Sequence, residues 1–161
     1  MPMVYTSSLA TPGISTCSAT PNTETDAIYL KPAANGRSVN LQAAYVIGRA
    51  SALTTISGIV FRIMKATTAS TVGTATTPAP KDSGMQAATA TASTGGTASS
   101  TGRTNHVIFG CGAAGPGGWV APNPDSMVSV PTAATLPSVD LLAASATASL
   151  TYEFSVEHQE S

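Results

Sequence analysis

The segment "SLTYEFSVEH" (149–158) constrains the fold more than any other stretch of the chain. Leu150, Tyr152, Phe154 and Val156 alternate strictly with Thr151, Glu153, Ser155 and Glu157. A repeat of two residues is the signature of a strand with one dry face and one wet face, and a helix cannot sort these side chains. The same period runs through "SVNLQAAYVIG", where Val39, Leu41, Ala43, Tyr45 and Ile47 take one side, and through "ISGIVFRIMK", where Ile59, Phe61 and Ile63 do. The expected core is therefore Leu41, Tyr45, Ile47, Ile59, Phe61, Ile63, Leu150, Tyr152, Phe154 and Val156, with Gln42, Arg62, Glu153 and Glu157 turned outward. The short "ASALTT" between the first two of these strands predicts a β-hairpin.

Shorter strand candidates are "AIYLK", "HVIFG" and "SMVSV". The best helical window, "TLPSVDLLAASATASL", is interrupted and rich in small and β-branched residues. Residues 66–105 are a Thr/Ala/Gly-rich tract with two readings, a disordered linker or loops around one strand, "MQAATATA". The turn chemistry of "TPAPKDSG" and the alternation of Ala with Thr favour the second. The chain is expected to be an all-β antiparallel sandwich, jelly-roll-like, with about eight strands and long loops.

Residues 1–23 hold no charge among their named side chains beyond the chain terminus, with Pro2, Pro12 and Pro21 spacing Val4, Tyr5, Leu9 and Ile14. This segment predicts an extended arm, either laid on a partner or packed as an irregular edge of its own domain. The division expected is an arm over 1–23 and one sandwich domain over 24–161, a length that supports a single core.

Only 9% of residues are charged against 42% apolar, and much of the apolar share is alanine, which buries little area per side chain. Such a chain gains by burying surface against a partner. The net charge of −1 offers no basic surface for nucleic acid. All seven basic residues precede residue 104, and only acids follow: Asp125, Asp140, Glu153, Glu157 and Glu160. That segregation either steers neighbouring copies or decorates solvent faces. Cys17 and Cys111 have no CxxC spacing and read as buried free thiols. The N-terminal sequence lacks the pattern of a signal peptide, and no apolar run has membrane-spanning length, so no membrane partner is expected.

Candidate chemistry is sparse. "GCGAAG" (110–115) matches the dinucleotide-binding pattern G-x-G-x-x-G, but "GPGGWVAPNP" stands where the phosphate-binding helix must start. The glycines read better as a sharp turn passing close to a neighbouring backbone. His106 and His158 belong to no metal or nucleophile motif, so no catalytic, cofactor or metal site is expected. Asp82 in "PKDSG" and Asp125 in "PNPDS" read as turn residues bonding their own backbone. Trp119 reads either as a core plug or as an interface anchor.

Three stretches carry a family resemblance: "GTATTPAPKDSGMQAATATA" (73–92), "GWVAPNPDSMVSV" (118–130) and "ASLTYEFSVEHQE" (148–160). Thr77, Pro78, Pro80, Asp82, Trp119, Pro122 and Glu157 mark positions at which the chain resembles small tailed-phage virion proteins, over about two-thirds of its length. The resemblance implies a non-enzymatic capsid decoration (cement) protein on the outer surface of a phage head, assembled in the host cytoplasm. Its implied partners are the major capsid protein and further copies of itself, first as a trimer and next as a dimer. Val4, Tyr5, Leu9, Ile14 and Trp119 are the expected interface residues. A tail-fibre or baseplate module that binds host glycans, and a cellular carbohydrate-binding module, are the alternatives.

Overall fold

The computed structural model describes residues 3–8, 14–34, 36–50, 58–68, 73–97, 101–132, 137–147 and 149–161. Its strands are β1 (Met3–Ser8), β2 (Ser15–Thr16), β3 (Thr25–Lys31), β4 (Val39–Gly48), β5 (Gly58–Ala66), β6 (Thr74–Thr76), β7 (Ala79–Pro80), β8 (Thr91–Thr94), β9 (Thr104–Gly112), β10 (Pro116–Val120), β11 (Val128–Val130), β12 (Ser138–Ser145) and β13 (Thr151–Glu160). The described residues contain one three-residue 3₁₀ turn, Pro124–Ser126, and no α-helix.

Two antiparallel sheets pack face to face. Sheet I runs β10-β4-β13-β1-β7, with β11 also on β4 and β2 also on β13; sheet II runs β6-β8-β3-β12-β5-β9. β3, β4 and β5 lie in sheets II, I and II in turn, β9 stays in sheet II beside β5, and β12 and β13 again fall in different sheets. Ile28, Leu30, Ile59, Phe61, Ile63 and Leu141 of sheet II meet Leu41, Val46, Tyr152, Phe154 and Val156 of sheet I in one core. Phe61 stands edge-on to Tyr152 at 5.2 Å between ring centroids, joining the two sheets. The fold class expected from the alternating strands is the one found.

Several local expectations are corrected. β4 and β5 form no hairpin: β4 pairs with β13 and β10 in sheet I, whereas β5 pairs with β12 and β9 in sheet II. Two strands with dry faces can meet across the core as well as side by side, and here they meet across it.

Tyr45 and Ile47 are exposed rather than buried. The cause is a β-bulge. Glu157 faces Ala43 and His158 faces Leu41, so Gln42 is an extra residue in β4. One extra residue exchanges the faces of everything beyond it. Val39 and Leu41 point inward before the bulge, and Ala44 and Val46 after it.

The strand expected over "MQAATATA" is confined to β8, which starts at Thr91. β12 lies between β3 and β5 and was masked in the sequence by its lack of alternation, since both its faces are buried.

Residues 3–8 and 15–16 of the N-terminal segment belong to sheet I. Met3–Ser8 pairs along β13 from Glu160 to Ser155, and Tyr5 and Thr6 pair with β7 on the other side. Ser15 and Thr16 continue along β13 as β2. Residues 3–8 thus pack on their own domain, as a regular strand between β13 and β7 and not as an irregular edge.

Candidate interaction surface

The outward face of sheet I follows directly from the register. Across it run rows of directly opposed residues: Val120, Ala43 and Glu157, then Gly118, Tyr45 and Ser155, then Pro116, Ile47 and Glu153. The bulge at Gln42 delivers Tyr45 and Ile47 to this face. Both are 44% exposed, with Val120 at 52% and Ile14 at 57%. Ile14 immediately precedes β2, whose Ser15 faces Tyr152 of β13 in the same sheet. Gly118 opposite Tyr45 adds no side chain to the stripe. Large apolar side chains gathered on one open face are the surface feature that most often signals association.

Ion pairs border this stripe. Arg49 Nη2 lies 2.6 Å from Glu153 Oε2, and Lys81 Nζ lies 2.6 Å from Glu157 Oε1. Two bases of the middle of the chain, Arg49 and Lys81, are thus paired with acids of its end. These exposed pairs add little stability, but they leave a face whose open character is apolar rather than charged.

The expected interface residues fare differently. Tyr5 is fully buried: its hydroxyl donates to the Gln86 carbonyl at 3.0 Å, and its ring stacks on His158 at 5.4 Å. Burial raises its pKa, as expected for a phenol removed from water. Val4 is half-buried, and Leu9 lies outside the described residues. Ile14 is exposed as an interface residue requires. Trp119 sits opposite Ala44 on the inward face of β10, partly buried against the core at the rim of the sandwich.

Next to Tyr5 the inward phase of β13 continues past Val156 to His158 and Glu160, both buried. The Glu160 carboxylate accepts from Thr89 N at 2.9 Å, from Thr89 Oγ1 at 2.6 Å and from Ala90 N at 3.0 Å. His158 Nε2 approaches it at 3.7 Å, too far for a hydrogen bond. Burial alone would raise the Glu160 pKa; the neighbouring imidazole and the Thr89 and Ala90 donors outweigh it and hold the group at about 2. The cluster ties the end of the chain to the segment before β8. Sequence reasoning overlooked it, although the unbroken alternation of Tyr152, Phe154 and Val156 carries forward to both residues.

Sheet II bears an open groove of about 1290 Å³, lined in part by Glu24, Asp26, Val60, Arg62, Arg103 and Gly110. Glu24 bridges both arginines, at 2.8 Å from Arg62 and 3.5 Å from Arg103. No aromatic ring lines the groove among the described residues.

"GCGAAG" is a corner between sheets. β9 ends at Gly112, Gly115 N donates back to the Gly112 carbonyl at 3.3 Å, and β10 starts at Pro116. A strand occupies the place of the phosphate-binding helix. The backbones crowd here as expected: a Cβ on Gly117 would lie 2.3 Å from the Gly110 carbonyl oxygen. Asp82 behaves as a turn residue, accepting from Gly84 N at 3.0 Å. At the other turn the expectation for Asp125 is corrected, since Asn123 accepts from Ser126 N at 3.0 Å and caps the 3₁₀ turn. Cys17 and Cys111 are buried free thiols. Burial, with Cys111 nearby, pushes the Cys17 thiol up to about 11. No group of three or more His, Cys, Asp or Glu is placed to hold a metal among the described residues.

Comparison with protein-family models, with curated proteins and with solved structures found no match to this chain.

Proposed function

We propose that this chain is a non-enzymatic structural protein of a tailed-phage virion, a decoration (cement) protein that lies on the outer surface of the head and bridges copies of the major capsid protein. The observation that carries this reading is the exposed apolar stripe of Tyr45, Ile47 and Val120 on the outward face of sheet I, with Ile14 exposed just before β2. A paired sheet presents these side chains at fixed spacing, so contact with a shell costs little ordering. The described part of the N-terminal segment contributes Ile14 to that contact, while Tyr5 holds β1 to the body. No substrate, cofactor or metal enters the proposal.

The second reading, a fibre or baseplate module, would place a glycan in the groove on sheet II. Its charged, ring-free lining suits a sugar poorly, because glycan sites generally stack the ring on an aromatic side chain.

Counting this chain against the major capsid protein in purified particles, by quantitative mass spectrometry, separates the two. A cement protein is expected in numbers comparable to the capsid protein. A handful of copies per particle would overturn that reading in favour of the fibre.

A further inference from the structure

Among the described residues, β9 is the outermost strand of sheet II and pairs only with β5. Among the described residues, Thr104–Phe109 makes no backbone hydrogen bond to any other element. An open strand edge is a template for another strand, and proteins commonly protect it with charge, with proline or by covering it. β9, "TNHVIFGCG", contains no Lys, Arg, Asp, Glu or Pro. Among the described residues its one protecting feature is a bulge at His106, the residue left over between Val107 facing Ile63 and Asn105 facing Met64.

The side chains along this edge are also incompletely covered. Ile108 is 61% exposed, the highest value of any large apolar residue described, and Val60 on the same outer face is 48% exposed. On the inner face Val107 and Phe109 are only partly buried, although Phe109 stacks on Phe61 at 5.5 Å. Trp119, at the facing edge of sheet I, is partly buried in the same way. The close approach of Gly117 to Gly110 places the β9 and β10 edges on one side of the sandwich. Val107, Phe109 and Trp119 therefore form an apolar seam where the core reaches the surface.

From this edge we infer that β9 pairs with β9 of a second copy, antiparallel about a two-fold axis normal to the sheet, making a symmetric dimer. The sequence is complementary to itself in that arrangement. A two-fold of this kind opposes residues whose numbers sum to an even value, so inner face meets inner face and outer meets outer. With Ile108 opposite its own counterpart, Val107 faces Phe109 and His106 faces Gly110. Apolar residues meet apolar residues, and the bulged His106 meets a glycine. Beyond Gly110 the corner into β10 ends the edge, which confines the new ladder to His106–Gly110. A two-fold contact is isologous and closed, so it yields a dimer and not a fibre. The dimer takes the place of the trimer expected from the family resemblance. The inference uses a different face from the proposed shell contact and stands without it.

The test is solution mass together with site-specific cross-linking. By light scattering after gel filtration, the parent chain should show twice its 16.0 kDa mass. Ile108→Lys places two like charges face to face at the axis and should halve that mass, with thermal melting close to that of the parent because the site is exposed. Ile108→Cys should form a disulfide-linked dimer under mild oxidation, since directly opposed residues on paired strands lie within disulfide range. Val60→Cys, one strand inward on the same face, should not. The native thiols are both buried and do not compete. A monomeric parent, an Ile108→Lys protein that stays folded with the parent's mass, or equal cross-linking of the two cysteine variants would each overturn the inference. If Ile108→Lys fails to fold, the contrast between the cysteine variants decides.

Discussion

Replacing Glu160 by Gln removes the charge that holds the end of β13 to Thr89 and Ala90, and the size of the effect follows from the structure. In the folded protein the carboxyl stays ionised down to about 2, against an ordinary 4.5. A group whose folded pKa is lowered adds stability above its unfolded pKa, and that stability disappears as pH falls through the folded one. The window is therefore pH 4.5 down to 2. A gap of that width corresponds to about 3 kcal/mol, a large part of the stability of a domain this size. Gln keeps one acceptor oxygen but turns its amide hydrogens toward the Thr89 and Ala90 N–H groups, so the variant should lose about 2–3 kcal/mol at pH 7. Urea unfolding followed by far-UV circular dichroism, for both proteins across pH 2–7, gives both quantities. The parent should lose its advantage over Glu160→Gln between pH 4.5 and 2, because acid protonates what the mutation removes. A constant difference across that range would refute the reasoning and show that Glu160 is not held as an anion by these donors.

Two further substitutions test the packing. Phe154→Ala opens a cavity beside Tyr152 and should cost about 3–5 kcal/mol in urea unfolding; a variant as stable as the parent would show that β13 does not face inward as described. Gly48→Ala would place a Cβ 2.2 Å from the Gly112 carbonyl oxygen, so the corner between sheets must move. It should cost at least about 2 kcal/mol, and a neutral result would mean that this corner yields easily.

What the sequence made legible depended on how many faces of a strand are dry. β13 has one buried and one half-buried face along its whole length, so its alternation announced both its identity and its inward residues. β12 is buried on both sides at Asp140, Leu141 and Leu142 and shows no period to read. In β4 the alternation was present, but one extra residue at Gln42 reversed its phase. No local signal in "NLQAAY" marks a bulge, which shows only in the register with the partner strand. That single reversal concealed the candidate surface: Tyr45 and Ile47 looked like core, which left the arm and Trp119 as the apolar material available for a partner. The arm was misjudged for the opposite reason. Its residues show little pattern of their own, and Tyr5 is held by groups distant in sequence, Gln86 and His158.

The central claim is that the outward face of sheet I docks on a phage head. Its most direct test is co-sedimentation of the purified chain with heads prepared without it, comparing the parent with a Tyr45→Glu, Ile47→Glu double variant. Both substitutions fall on exposed positions, so the fold should persist, and matching circular dichroism and thermal melts would verify that. The parent should saturate the heads in numbers comparable to the capsid protein, while the folded double variant should remain in the supernatant. Equal binding of both proteins would contradict the account and move the contact to another face; no binding by the parent would refute the decoration reading itself.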